Sequence, residues 1–458
     1  MKSTHIQHLY NRIGFGITPK EITRLSKKNK QDIVDEIFST SEKITPLKID
    51  TSFLEDVKPK DLKDRDKKRE LQKINRKKVN DFSVAWFERI LNPKEIFREK
   101  MTLFWANHFV CESRNNIRFI ENYNNVLREN AFGNFGDFTK KVSKESAMLG
   151  YLNNKQNRKK SPNENFAREL MELFTLGQGN YTETDIKESA RAFTGYNHNF
   201  YGKFVMKNKH HDENEKTFFG KTGNFSGDDI IDIILEEKQC ARFISEKIYT
   251  YFVNENINKK HIEEMVSVFY KDYNIEKLMR FILLSNWFYE NVNIGTKIKS
   301  PLEFLAGIHT IVPFNFERPK QILLIQKLLG QVLMRPPNVA GWQIGKNWID
   351  SNTMVRRLRL PSILLNSAEI TYSDTGDEET MVSDLKSKKL KRKAFIKTKV
   401  DWNSFEKNYK TTSNKELISL LLTNKILPGT RELLLENSNI PKKDFCIQLM
   451  SIPEYQLC

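Results

Sequence analysis

The stretch Pro162 to Gly177, PNENFARELMELFTLG, sets four charged side chains on a helical pattern. Glu164, Arg168 and Glu172 recur every fourth residue, and Glu169 stands three before Glu172. They form a polar stripe beside an apolar face of Phe166, Leu170, Leu173 and Phe174. Acids on so apolar a helix, if withdrawn from water, need a guanidinium, a metal or protons as partners. The chemistry on offer is metal ligation or general acid–base work. The plainer reading is an intrahelical ion-pair ladder that fixes helix packing. A ferritin-like di-metal centre would use Glu-x-x-His pairs on two helices, whereas the spacing here is Glu-x-x-Glu.

A second candidate is His210-His211-Asp212, in a non-helical stretch. A His-Asp pair on a loop can ligate a metal or transfer protons, or can simply fix the loop by hydrogen bonds. His108, in Trp105-Ala-Asn-His-Phe109, is a third, although a histidine among large aromatics more often satisfies the core. His8 and Arg12, one turn apart beside Gly14-Phe15-Gly16, read as structural. Trp342 and Trp348, in a Pro- and Gly-rich loop, could line a pocket, with capping of the core as the stronger reading. Gly14-Phe-Gly lacks the preceding strand and third glycine of a dinucleotide fingerprint. No Walker A, HExxH or Gly-x-Ser-x-Gly sequence occurs. Cys111, Cys240, Cys446 and Cys458 stand too far apart for metal or redox spacing.

These candidates need a scaffold, and the composition indicates which kind. The 458 residues include only 19 Gly and 14 Pro, too few for the many turns of a sandwich or propeller. The 31 Phe supply a large core despite an apolar fraction of 39%. The expected fold is all-α, a multi-helical globular domain with one small β-hairpin insertion at about 196–222. Its core spans 1–365, with a charged insertion at 55–80, a charged linker or insertion at 366–400 and a C-terminal helical region at 401–458. Thr18-Pro19-Lys20-Glu21 reads as a helix start. Asn163 to Leu176 reads as one buried helix, and Phe82 to Leu91 and Ile96 to Val110 as two more.

Several segments together resemble the bacterial domain-of-unknown-function family 1800 (DUF1800). They are HLYNRIGFGITPKEI, REKMTLFWANHFV, PNENFARELMELFTLGQGNYTETDIKESARAFTGY, HDENEKTFFGKTGNFSGDDIIDIIL, CARFISEKIYTYFV, KSPLEF and LGQVLMRPPNVAGWQIGKNWI, in that order. The resemblance implies a family defined by sequence, without an established activity. Its members often look exported and are often encoded beside a second family resembling sulfatases and phosphatases.

The formal net charge is +17, and Lys58 to Lys78 carries eleven Lys/Arg against four acids. The basic runs lack interleaved aromatics, so nucleic acid is not the expected partner. No stretch reaches the ~18 apolar residues of a membrane span. The opening MKSTHIQHLYNRIGFG has no apolar h-region, which departs from the exported relatives and favours a cytoplasmic location, with export left open. The leading expectation is an enzyme, a hydrolase or a metal-assisted one. Its site would gather Glu164, Arg168, Glu169, Glu172, His211, Asp212 and His108, with a divalent metal as candidate cofactor. The alternative is a non-catalytic helical scaffold that binds a protein partner.

Overall fold

Short polar side chains start the helices that matter for the site. Thr18 accepts from the Glu21 amide (3.5 Å), opening the helix Pro19–Ser26. Ser300 and Glu303 cap each other: the Ser300 amide donates to Glu303 Oε2 (2.8 Å) and the Glu303 amide to Ser300 Oγ (3.4 Å). Pro301 takes the first position of the helix Pro301–Ile311, where its missing N–H leaves no bond unmade. A computed structural model describes residues 1–366 and 396–458, and among these the protein has 21 α-helices and three two-stranded antiparallel sheets. The all-α reading holds. The charged stretch placed at 366–400 lies, for 367–395, outside the described residues.

The hairpin region differs in pairing. The strands expected near 203–206 and 216–219 do not pair with each other. Tyr196–His198 pairs with Phe204–Met206, and Lys216–Phe218 pairs with Lys221–Gly223. The second hairpin turns on Phe219 (φ 47°) and Gly220 (φ 73°), both left-handed as a two-residue turn of the I′ kind requires. A third pair joins Phe314–Phe316 to Thr398–Val400. The basic segment is the exposed first half of a 27-residue helix, Arg65–Leu91, whose second half carries buried Phe82, Trp86, Phe87 and Ile90.

One apolar core runs from Ile6 to Tyr455. The helix Ile96–His108 crosses it, with Trp105 ringed by Phe104, Phe109, Phe135 and Phe138 at centroid distances of 4.7–5.9 Å. Residues 456–458 return to the middle of the chain: the Cys458 amide donates to Lys297 O (2.8 Å) and the Lys299 amide to Gln456 O (2.8 Å), with Ile298 bridging Leu457. All four cysteines are buried and free. Among the described residues, no helix is long and apolar enough to cross a membrane.

Candidate functional site

The carboxylate helix does not run regularly from 163 to 176. It is α-helical over Asn165–Glu169 and π-helical over Leu170–Thr175. The Leu176 amide reaches back five residues to Met171 O (2.8 Å), and Thr175 Oγ1 donates to Leu170 O (2.6 Å). The wider turn buries Leu170, Met171, Phe174, Thr175 and Leu176 together. It also rotates Glu172 off the stripe. Arg168 pairs with Glu164 (3.3 Å) and with Glu183 of the next helix (3.0 Å), while Glu172 accepts from Tyr181 Oη (2.9 Å). Glu164, Arg168, Glu169 and Glu172 are all half-buried. The expected buried acid cluster is therefore corrected to a partly solvated one. Burial, with Glu172 beside it, raises the Glu169 carboxyl.

His211 and Asp212 are fastened elsewhere. A carbonyl can only accept, so the His211 Nδ1–H donates to Thr194 O (2.8 Å). Asp212 receives Arg191 Nε (2.8 Å) and the Asn214 amide (3.0 Å). Burial alone would raise the Asp212 carboxyl, but Arg191 and the Asn214 amide outweigh it and hold it below the ordinary range. Among the described residues no hydrogen bond or ion pair joins this loop's His211 and Asp212 to Glu164, Arg168, Glu169 or Glu172. No group of three His, Cys, Asp or Glu among them is placed to hold a metal ion. His108 is buried and donates through Nε2 to Phe174 O (3.0 Å), in the π turn. Burial, and secondarily Lys247, holds its imidazole down at about 3.

The strongest concentration of buried charge lies elsewhere. Lys100, on the apolar helix Ile96–His108, is fully buried, as is Arg12, and Lys297, Lys299, Glu303 and Arg357 are nearly so. Glu303 Oε1 accepts from both Lys100 Nζ and Lys297 Nζ, the latter at 2.6 Å. Lys100 also donates to Gly14 O (2.9 Å). Burial pulls Lys100 down to about 8, opposed by Glu303. Burial would raise Glu303, but Lys100 and Lys297 hold it well below the usual carboxylate range. Lys100 and Glu303 are both charged at neutral pH. Arg12 donates to Asn293 O (2.8 Å) and Arg357 to Gln456 Oε1 (2.7 Å) and Lys299 O (2.6 Å).

A small cleft opens over this network, with a free volume of about 30 Å³. Its lining includes Asn107, Tyr251, Glu255, Lys297, Ser300 and Glu303. Lys297 Nζ stands 4.2 Å from the Tyr251 ring centre, a favourable cation–π distance. Glu255 Oε1 is shielded from solvent without a hydrogen-bond partner. Gly345 (φ 57°) makes room for that carboxylate: a Cβ there would lie 2.3 Å from the Glu255 carboxyl carbon. Trp348, nearly buried, closes one wall, and Trp342 is tied to Asn107 through its backbone (2.6 Å). Trp348 thus lines the cleft, and both tryptophans belong to the apolar core.

Sequence reasoning missed Lys100, Tyr251, Glu255, Lys297 and Glu303. A signal was present: Glu303 is a charge inside the otherwise apolar run PLEFLAGI, and Lys100 directly precedes the run MTLFW. Four of the segments that carry the family resemblance, at 98–110, 240–253, 299–304 and 329–349, meet at this cleft.

The fold and the cleft define an all-α protein built around an internal ionised network of lysines and one glutamate. The chain belongs to the family described as "Protein of unknown function (DUF1800)", whose model matches residues 8–457. No curated protein and no solved structure matches it.

Proposed function

We propose that the protein is an enzyme of the hydrolase type whose site is the cleft of Tyr251, Glu255, Lys297, Ser300 and Glu303. The observation that carries this reading is Glu255 Oε1, shielded in the cleft wall with no hydrogen-bond partner among the described residues. Buried polar atoms are almost always bonded, and exceptions concentrate where a group must be free to act. The free volume of about 30 Å³ admits roughly two waters. In this reading Glu255 takes a proton from a water there as general base. Lys297 faces the negative charge that develops on the substrate. Lys100 and Glu303 are positioning residues: Glu303 anchors the Lys297 ammonium, and Lys100 balances Glu303's second hydrogen-bonding demand.

The test is Glu255→Gln and Lys297→Met, assayed for turnover of chromogenic carboxylic, phosphate and sulfate esters and followed by thermal unfolding. Wild type is expected to turn over one ester class, and Glu255→Gln to lose about 100-fold or more while melting at or above the wild-type temperature. A fall of several degrees in Glu255→Gln would mean that the carboxylate holds the fold together, and the proposal would be abandoned.

A second reading, the scaffold, is favoured for the other cluster by one observation: Arg168 bridges Glu164 and Glu183, joining two helices at the surface. In this reading His108, His211 and Asp212 fix packing, and Glu164, Arg168, Glu169 and Glu172 present a face to a protein partner.

A further inference from the structure

Residues 297–299 are bonded along 456–458, and the two lysines of this segment line different clefts. Lys297 enters the cleft already described. Lys299 enters another, lined by Gln7, Asn11, Gly16, Gly307, Tyr409 and Tyr455 among others, with a free volume of about 30 Å³. Two buried polar groups meet there with bonding capacity unused. Lys299 is 8% exposed, and among the described residues its ammonium has one acceptor, Tyr455 O (2.8 Å), for three N–H bonds, while standing 3.7 Å from the Tyr455 ring centre. Tyr455 is 1% exposed, and among the described residues its Oη has no partner. Gly307, inside the helix Pro301–Ile311, lies beside that hydroxyl: a Cβ there would stand 3.4 Å from Tyr455 Oη. A glycine inside a helix lowers helix stability, and here it keeps the space in front of the hydroxyl open.

We propose that this second cleft binds a small oxyanion, the carboxylate or phosphate group of a ligand, through the Lys299 ammonium and the Tyr455 hydroxyl. Both groups are donors that line one cleft, and Arg357 adds positive charge near Lys299, opposed by Cys458 and Glu303. Burial holds Lys299 at about 8, so the ammonium is present at neutral pH. Burial raises the Tyr455 hydroxyl well above its ordinary value, so it keeps its proton and donates. The volume accommodates roughly two water-sized atoms, the number of oxygens a carboxylate presents. The rest of the ligand would extend past Gln7 and Asn11 towards solvent.

The experiment uses the full chain, with sodium acetate and inorganic phosphate as probes and sodium chloride at matched ionic strength as control. Thermal unfolding and calorimetric titration are run for wild type, Lys299→Met, Tyr455→Phe and Gly307→Ala. Wild type should melt higher in one or both probes than in chloride, as selective binding to the native state requires. Response to acetate alone, or to phosphate alone, assigns the oxyanion. Tyr455→Phe should weaken binding about 10-fold or more, the effect of one hydrogen bond to a charged group. Gly307→Ala removes no polar group, so it should fold at least as well as wild type and yet lose binding. Lys299→Met should abolish it, and wild-type binding should weaken as pH rises through about 8. The proposal is overturned if neither probe shifts wild type at about 50 mM, where even a weak site fills. A shift that survives unchanged in Gly307→Ala and Tyr455→Phe overturns it equally.

Discussion

His108 illustrates how one buried side chain sets a pH response. Its imidazole is held at about 3 by burial and Lys247, against ~6.5 in an unfolded chain. Between those values the unfolded chain binds a proton that the native protein refuses. The contribution is therefore intact above ~6.5 and falls as pH drops through that window, by about 1.4 kcal/mol per unit. His309, lowered to about 4 by burial, acts in the same sense. Glu145, raised to about 7 by burial and Glu129, acts in the opposite one. Comparison with His108→Gln isolates the histidine: urea midpoints taken from about pH 7.5 to 4.5 should fall less steeply for the variant. Equal slopes would mean that His108 is protonated in the native state.

At the scale of elements, three helices are locked by a second buried ion pair. Glu99, on Ile96–His108, accepts Arg128 Nε (2.6 Å) from Ile117–Glu129 and Trp86 Nε1 (3.2 Å) from Arg65–Leu91. Arg128 is further held by Asn124 and Asn125 at 2.9 and 2.8 Å. Arg89 Nη1 lies farther from Glu99, at 3.5 Å, and Arg128→Met leaves the buried carboxylate only that cation, so the change should cost about 3 kcal/mol, the low end for breaking a buried pair, read from denaturant unfolding. The double change Arg128→Met with Glu99→Met should cost less than the sum of the two single changes. Elements of this kind were legible in the sequence where caps and periodicity are local: Thr18 and the apolar face of 96–110 each announce themselves within a few residues. The π turn at 170–175 was not legible, because it depends on Phe174 O meeting His108 and on core space that only the tertiary fold supplies. Hairpin partners were missed for a similar reason: the strand residues were visible, but their pairing rested on Phe219 accepting a left-handed conformation. The lysine–glutamate network was hidden because its members are 203 residues apart in sequence between Lys100 and Glu303. Each charge was visible singly, and none announced its partner.

At the scale of the whole molecule, the chain is closed by its last described residues. Tyr455 and Cys458 are buried, and residues 456–458 bond the strand that carries Lys297 and Lys299 into the two clefts. Deleting residues 455–458 should lower the melting temperature by roughly 10 °C or prevent folding, since it removes a buried aromatic worth several kcal/mol and leaves strand groups unbonded. A melting temperature within a degree or two of wild type would mean that this ladder is peripheral. The same closure has a consequence in time. Gln7 bonds backbone at residues 419 and 420, and Arg12 meets Cys458 across 446 residues of sequence. During synthesis Gln7 is made 412 residues before Ser419, and Arg12 446 residues before Cys458. At roughly 5–20 residues per second, these two side chains wait tens of seconds for those partners. That interval is when a chaperone would recognise this chain and when a protease would cut it, and the first helix is where both would act.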